Sequence, residues 1–130
     1  MTAREDRANP PLRVELLWFK GCPNHTAVRA TLAEALAECA PGVSIHDIDA
    51  TDPAVAQRHR FPGSPTIRVN GRDIDPAFMD PGDYTPRCRL CATPGGLRGL
   101  PERAWIYAAL RGARASQGGR AAAISRSACG

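Results

Sequence analysis

The chain changes from a strand pattern to a helix pattern within residues 14–25, Val14-Glu15-Leu16-Leu17-Trp18-Phe19-Lys20-Gly21-Cys22-Pro23-Asn24-His25. The apolar run that begins at Val14 is typical of a strand buried on both faces. Cys22 and Pro23 follow this strand and directly precede the first turn of the predicted helix. The first turn has unpaired backbone N–H groups and the positive end of the helix dipole, both of which favour a thiolate. Cys22 is therefore predicted to be a reactive cysteine.

Apolar periodicity and turn signals on either side of this junction predict the other elements. In chain order, the predicted elements are strand 12–19, helix 24–40, strand 43–48, helix 53–59, strand 66–69, strand 72–74 and a last helix that opens at Pro101-Glu102 and ends near Arg111. A loop of about 25 residues, far longer than most connections in compact domains, precedes the last helix. We expect a disordered leader at residues 1–11, one domain over 12–112 and a flexible tail at 113–130.

Composition and charge exclude several classes of function. The net charge is only +4, and the arginines are dispersed among acidic residues, so nucleic-acid binding is not expected. No apolar stretch approaches the roughly 18 residues that a membrane-spanning helix needs, and the first residues lack a signal-peptide core. These patterns predict a cytoplasmic protein with no membrane partner. In a reducing compartment, five cysteines favour reactive or metal-binding thiols over a disulfide framework.

The order of elements, with Cys-Pro at the first strand-to-helix junction, resembles the minimal thioredoxin fold of the glutaredoxin type over about residues 12–112. A second mark is Gly63-Ser64-Pro65-Thr66, because this family keeps a cis-proline beside the active cysteine directly before its third strand. The resemblance implies an α/β domain with a central mixed four-stranded sheet, three flanking helices and a long loop before the last helix. It also implies that substrate binds at Pro23, Ser64, Pro65 and Thr66.

His25 stands where the redox motif of this family, Cys-x-x-Cys, has its second cysteine. Cys22 therefore lacks a resolving partner within its own motif. A monothiol site can work through a mixed disulfide with glutathione, or it can pair with a cysteine elsewhere in the chain. His25 can serve the Cys22 thiolate as a hydrogen-bond partner or proton donor, and the alternative is a solvated residue of the first helical turn.

Cys88 and Cys91 are the candidate partners, because they lie in the long loop before the last helix. In the resembled fold an antiparallel fourth strand ends at the edge that holds the active cysteine, so this loop is expected to start near Cys22. Arg87 and Arg89 flank Cys88 and are expected to lower its pKa. The alternatives for the pair are a local disulfide or half of a zinc site. Cys39 is predicted to be a buried apolar residue, and Cys129 an incidental thiol of the tail.

Two classes of function follow. The first is a thiol-disulfide oxidoreductase, in which Cys22 attacks a small disulfide, a protein disulfide or a glutathione adduct and Cys88 or Cys91 resolves the mixed disulfide. No cofactor is required, although glutathione can take part. The second is binding of a soft metal ion such as Hg(II) or Cu(I) by Cys22, Cys88 and Cys91, since thiolates select soft cations. A domain that keeps the fold without chemistry is a third interpretation.

The segments Gly-Cys-Pro-Asn, Gly-Ser-Pro-Thr-Ile-Arg-Val-Asn-Gly-Arg-Asp-Ile, Arg-Cys-Arg, Gly-Gly and the final Pro-x-x-x-Trp-Ile also resemble small thioredoxin-like proteins grouped with alkylmercury lyases. This resemblance implies that the soft-metal site is an enzyme. Such chemistry needs two thiolates to hold mercury and an acid to protonate the departing carbon. His25 and Asp75 are the candidate acids, and Asp80 and Tyr84 lie in the same loop.

Overall fold

The structure, a computed structural model, describes residues 12–117. They form a mixed α/β fold with a four-stranded mixed sheet and three helices, which confirms the predicted class. The predicted leader at 1–11 and residues 118–130 of the predicted tail, with Cys129, lie outside the described residues. Within residues 12–117 no helix is long and apolar enough to cross a membrane.

The strands of the sheet are β1 (Val14–Trp18), β2 (Ile45–Asp49), β3 (Thr66–Val69) and β4 (Arg72–Asp73). They lie in the order β2-β1-β3-β4, so that β1, the most apolar strand, is central and buried on both faces. β1 is parallel to β2 and antiparallel to β3, and β3 is antiparallel to β4. Since Thr66 pairs with Leu17, β3 begins at the sheet edge where β1 ends. Cys22 also lies at this end of the sheet, where β1 stops and β3 starts, which we call the sheet edge.

The helices are α1 (Asn24–Cys39), α2 (Pro53–Arg58) and α3 (Arg103–Gln117). Leu16 packs with α1 and α3 on one face of the sheet, and Leu17 packs with α2 and Phe61 on the other. The buried face of α1 is the predicted one, Val28, Leu32, Ala35, Leu36 and Cys39. α3 continues six residues beyond its predicted end at Arg111, because alanine and arginine sustain a helix and Ala113 still packs against the core.

The long loop before α3 contains a small hairpin that the sequence analysis did not predict. Its strands are β5 (Cys91–Thr93) and β6 (Gly96–Arg98), which pair antiparallel around the two-residue turn Pro94-Gly95. Gly96 adopts a φ of +109°, a conformation that favours glycine. The hairpin divides the irregular part of the loop into residues 74–90 before it and residues 99–102 after it.

Candidate functional site

Cys22 lies in the turn between β1 and α1, and its side chain is completely buried. Its backbone N–H donates to the Phe19 carbonyl oxygen at 3.1 Å, which closes the turn out of the strand. Its thiol donates to the carbonyl oxygen of Ser64, with 3.5 Å between sulfur and oxygen. Next to it, the side-chain amide of Asn24 donates to the carbonyl oxygen of Gly99 at 3.4 Å. The residues after β6 therefore cover the start of α1.

The loop returns to this edge through residues 87–89, which pair with Ser64 as a single parallel bridge. The Ser64 N–H donates to the Arg87 carbonyl oxygen at 2.8 Å, and the Arg89 N–H donates to the Ser64 carbonyl oxygen at 2.9 Å. Cys88, between these two residues, is exposed. The Ser64 carbonyl oxygen thus accepts from both the loop backbone and the Cys22 thiol.

Cys88 and Cys22 meet at Ser64, because Cys88 is bridged to Ser64 and the Cys22 thiol donates to the Ser64 carbonyl oxygen. Partial desolvation raises the pKa of the Cys88 thiol, and so do the hydrogen-bonding and charge effects of the neighbouring Cys22 side chain. The predicted lowering of the Cys88 pKa by Arg87 and Arg89 is therefore wrong. Each guanidinium forms an ion pair with a carboxylate: Arg87 with Asp83 at 3.7 Å, and Arg89 with Asp73 at 2.7 Å.

We expect Cys22→Ala to lower the pKa of Cys88 and to speed its alkylation severalfold near neutral pH. The substitution removes the hydrogen bond and the charge that favour the neutral Cys88 thiol, so a larger fraction is thiolate at any pH below the pKa. Alkylation rates at Cys88 across a pH series, resolved by peptide mass mapping, measure the shift. Cys91→Ala is the matched control, because Cys91 is not among the groups that shift Cys88. An unchanged or higher Cys88 pKa in Cys22→Ala would contradict the contact.

Cys91, the other candidate partner, is buried at the start of β5. Burial raises the pKa of its thiol, the positive charge of Arg89 lowers it, and the charges of Asp75 and Asp73 raise it. The pKa of Cys88 responds to Cys22, whereas that of Cys91 responds to these charged groups of the loop. The backbone agrees with this difference: Cys88 is bridged to Ser64, which accepts from the Cys22 thiol, whereas Cys91 pairs with Arg98 in the hairpin.

Arg89 holds the loop onto the sheet, and its side chain is only 11% exposed. It donates to both carboxylate oxygens of Asp73, at 2.7 and 3.0 Å, and to the Thr66 hydroxyl at 3.0 Å. A second carboxylate, that of Asp75, lies 3.6 Å away. Burial lowers the pKa of the guanidinium, but the hydrogen bonds and charge of Asp73 outweigh it, so the net shift is upward. This network, which the sequence analysis missed, fixes the residue next to Cys88.

Gly63 is a second residue that the sequence analysis did not assign a role. Its φ of +136° favours glycine, and a Cβ placed there would lie 2.9 Å from the Arg89 Cβ and 3.4 Å from the Arg87 carbonyl oxygen. Glycine therefore permits residues 87–89 to approach the backbone before Pro65. A glycine directly before Ser-Pro was visible in the sequence, but the contact partner was not.

Of the four predicted substrate-binding residues, Pro23 follows Cys22 in the chain and Ser64 accepts the hydrogen bond of its thiol. Pro23 is exposed at the start of α1, and Ser64, Pro65 and Thr66 are fully buried below residues 87–89. The Ser64-Pro65 peptide bond is cis, the isomer that the family resemblance implies. The Thr66 hydroxyl donates to the Gly63 carbonyl oxygen at 2.6 Å. The buried Ser64 hydroxyl has no hydrogen-bond partner among residues 12–117.

His25 lies in the first turn of α1 and stacks on Trp18, with ring centroids 4.5 Å apart. Its Nδ1 is buried without a hydrogen-bond partner in the described part of the chain. The structure therefore places His25 against β1 and shows no hydrogen bond from it to the Cys22 thiol.

The loop acids are engaged elsewhere. Asp75 is paired with Arg89, and Asp80 accepts hydrogen bonds from the Tyr84 hydroxyl at 2.7 Å and from Arg60 at 2.6 Å. The Tyr84 and Gly82 hydrogen bonds, followed by that of Arg60, lower the pKa of Asp80 to about 2. Asp80 is thus ionised near neutral pH and holds no proton to donate there.

The sequence predicts a metal site formed by the three thiols of Cys22, Cys88 and Cys91. Among residues 12–117, no group of three or more His, Cys, Asp or Glu side chains is close enough to hold a metal ion. Within the described residues, Cys22, Cys88 and Cys91 therefore do not form the expected three-thiol site.

Comparisons with family models, with curated proteins and with solved structures find no significant match to this chain. The assignment of a function therefore depends on the sheet edge that joins Cys22, the Ser64-Pro65 bond and Cys88.

Proposed function

We propose that the protein is a thiol-disulfide redox protein of thioredoxin-like fold, in which Cys22 and Cys88 form the redox pair. The observation that carries the proposal is that both cysteines adjoin Ser64 at the sheet edge before α1: Cys88 is bridged to Ser64, and the Cys22 thiol donates to the Ser64 carbonyl oxygen at 3.5 Å. A disulfide needs both sulfurs within bonding reach, and two cysteines that adjoin the same residue can meet that need with little movement of the backbone. Cys88 thus takes the role that the second cysteine of Cys-x-x-Cys has in the family that the sequence resembles.

The surroundings of the pair support reversible exchange rather than a permanent cross-link. Cys88 is exposed and lies in a segment joined to the sheet by two backbone hydrogen bonds, so small molecules can reach its sulfur. Exposed disulfides are those that exchange readily with thiols in solution. The cis Ser64-Pro65 bond and the start of α1 flank the pair, as the resemblance implies for a redox site.

Equilibration in glutathione buffers of graded redox potential tests the proposal. Peptide mass mapping after acid quenching should find a Cys22–Cys88 disulfide in the wild type, in exchange with the dithiol. Cys91→Ser is the matched control and should keep the disulfide, because Cys91 is not the partner of Cys22. Absence of a Cys22–Cys88 disulfide across the whole series, with both thiols free, would refute the function.

A second candidate function, binding of a thiophilic ion such as Hg(II) or Cu(I), is favoured by the same meeting of two cysteines at Ser64, since thiolates select soft cations. In this function one equivalent of Hg(II) should protect Cys22 and Cys88 together from alkylation. The protection should disappear in Cys88→Ser and persist in Cys91→Ser. If the pair exchanges with glutathione but Hg(II) does not protect both thiols from alkylation, the metal-binding function is refuted and only the redox function remains.

A further inference from the structure

We propose that Cys88, rather than Cys22, is the cysteine that forms the bond to the substrate, and that Cys22 is the internal thiol that closes the disulfide. This inference rests on the proposed thiol-disulfide function and assigns an order to its two cysteines. The order is the reverse of the one expected from the sequence, in which Cys22 attacks first and a loop cysteine resolves.

Access to the two sulfurs is the first argument. The Cys22 side chain has no exposed surface, whereas Cys88 is exposed. Residues 87–89 cover Cys22 from the side of Ser64, and the contact between Asn24 and Gly99 covers the start of α1. Exchange depends on which sulfur the incoming group can reach. A substrate disulfide therefore meets Cys88 first.

The geometry of exchange is the second argument. Attack on a sulfur of a disulfide proceeds roughly in line, with the incoming and leaving sulfurs on opposite sides of the attacked atom. Attack on Cys88 with Cys22 as the leaving group comes from the exposed side. Attack on Cys22 with Cys88 leaving would have to come through the protein interior near the Ser64 carbonyl oxygen. Only the first approach is open in the described fold.

The exposed side of Cys88 also has room for the substrate. A cavity of about 340 Å³ has Cys88 in its wall, together with Phe78, Met79 and Leu90. Met79 is 84% exposed and Leu90 is 66% exposed, so the cavity opens to solvent. Within residues 12–117 the backbone N–H and carbonyl of Cys88 make no hydrogen bond, which leaves this side of the segment unpaired. The substrate half of a mixed disulfide can lie there.

The steps balance in the reducing direction. The Cys88 thiolate attacks one sulfur of the substrate disulfide, forming a mixed disulfide and releasing the first substrate thiolate. The Cys22 thiolate then attacks the Cys88 sulfur, which forms the Cys22–Cys88 disulfide and releases the second substrate thiolate. The protein loses two electrons and its two thiol protons, and the substrate disulfide becomes two thiols. The oxidising direction is the reverse, with substrate thiolate attacking Cys88.

Trapping of the mixed disulfide tests the order of the cysteines. Reduced Cys22→Ser, Cys88→Ser and wild-type protein are each exposed to oxidised glutathione, quenched with acid over a time course and mapped by mass spectrometry. Cys22→Ser should accumulate glutathione on Cys88, because the internal thiol that would displace it is missing. Cys88→Ser should form an adduct on Cys22 at least roughly tenfold more slowly, since that sulfur remains covered. Matching thermal unfolding curves establish that both variants keep the fold.

The outcomes separate this inference from the function on which it rests. A wild type that forms the Cys22–Cys88 disulfide, with trapping on Cys88 alone, supports both. The same wild-type disulfide with equal or faster trapping on Cys22 would overturn the order and leave the redox function standing. A wild type that forms no internal disulfide with oxidised glutathione would refute the redox function, and the order with it.

Discussion

Replacement of Arg89 by methionine should lower the free energy of unfolding by about 3 kcal/mol, because it leaves a carboxylate buried without its counter-charge. The Asp73 side chain is 3% exposed and receives two hydrogen bonds from Arg89. Methionine retains much of the apolar stem but supplies no donor to Asp73 or to the Thr66 hydroxyl. Urea unfolding followed by circular dichroism measures the change.

Arg87→Met is the matched control for this experiment. Arg87 lies two residues away on the same segment, but its side chain is 43% exposed and its contact with Asp83 spans 3.7 Å. Exposed pairs of this kind contribute little, so the control should lose less than about 1 kcal/mol. A double variant, Arg89→Met with Asp73→Asn, should recover part of the loss, because the stranded negative charge is gone. Equal, small losses in both single variants would show that the ion pair does not anchor the loop.

Arg89→Met should also affect the reactivity of the Cys22–Cys88 pair. Arg89 adjoins Cys88, and its own N–H is one of the two backbone hydrogen bonds that join the segment to Ser64. Loss of its side-chain anchor should lower the population in which Cys88 contacts Cys22, and so slow closure of the internal disulfide. The stability loss and the slower closure should occur together in Arg89→Met and be absent from Arg87→Met.

Local patterns were sufficient to predict the centre of this fold. The apolar run of β1 and the spacing of buried residues on α1 carry their own periodicities, so the junction that holds Cys22 could be predicted from neighbouring residues alone. β3 was predicted at the residues it occupies, because the turn residues Asn70-Gly71 fix where it must end. The hairpin strands β5 and β6 are three residues each, too short for alternation to show.

The choice between Cys88 and Cys91 could not be made from the sequence, because it depends on contacts between distant residues. Both cysteines belong to one Cys-x-x-Cys segment, and topology alone directs the whole segment toward Cys22. The bridge from Cys88 to Ser64 spans 24 positions, and Cys91 is instead taken into β5, where it pairs with Arg98. Neither the Arg89 ion pair nor the close approach at Gly63 has a local sequence signature. These contacts decide which thiol meets Cys22.

Gly63→Ala should push residues 87–89 away from the site and expose Cys22. A Cβ at position 63 would lie 2.9 Å from the Arg89 Cβ, closer than such atoms approach, and 3.2 Å from the Arg89 Cα, a tight contact with backbone that must shift to relieve it. The φ of +136° adds strain for alanine, so we expect a total loss of about 1–3 kcal/mol in unfolding free energy. Displacement of the segment weakens both hydrogen bonds to Ser64, so alkylation of Cys22 should accelerate while closure of the Cys22–Cys88 disulfide slows.

Gly42→Ala is the control that separates the backbone strain of Gly63→Ala from its collision with Arg89. Gly42 follows α1 with a φ of +93°, and a Cβ there would meet no atom within 4 Å. This control carries backbone strain without any collision, so it should lose stability on a similar scale and leave the reactivity of Cys22 unchanged. If Gly63→Ala is no more reactive at Cys22 than Gly42→Ala, residues 87–89 do not cover that thiol. Faster alkylation only in Gly63→Ala would mean that the missing Cβ of Gly63 is what lets the loop close over Cys22 and bring Cys88 to it.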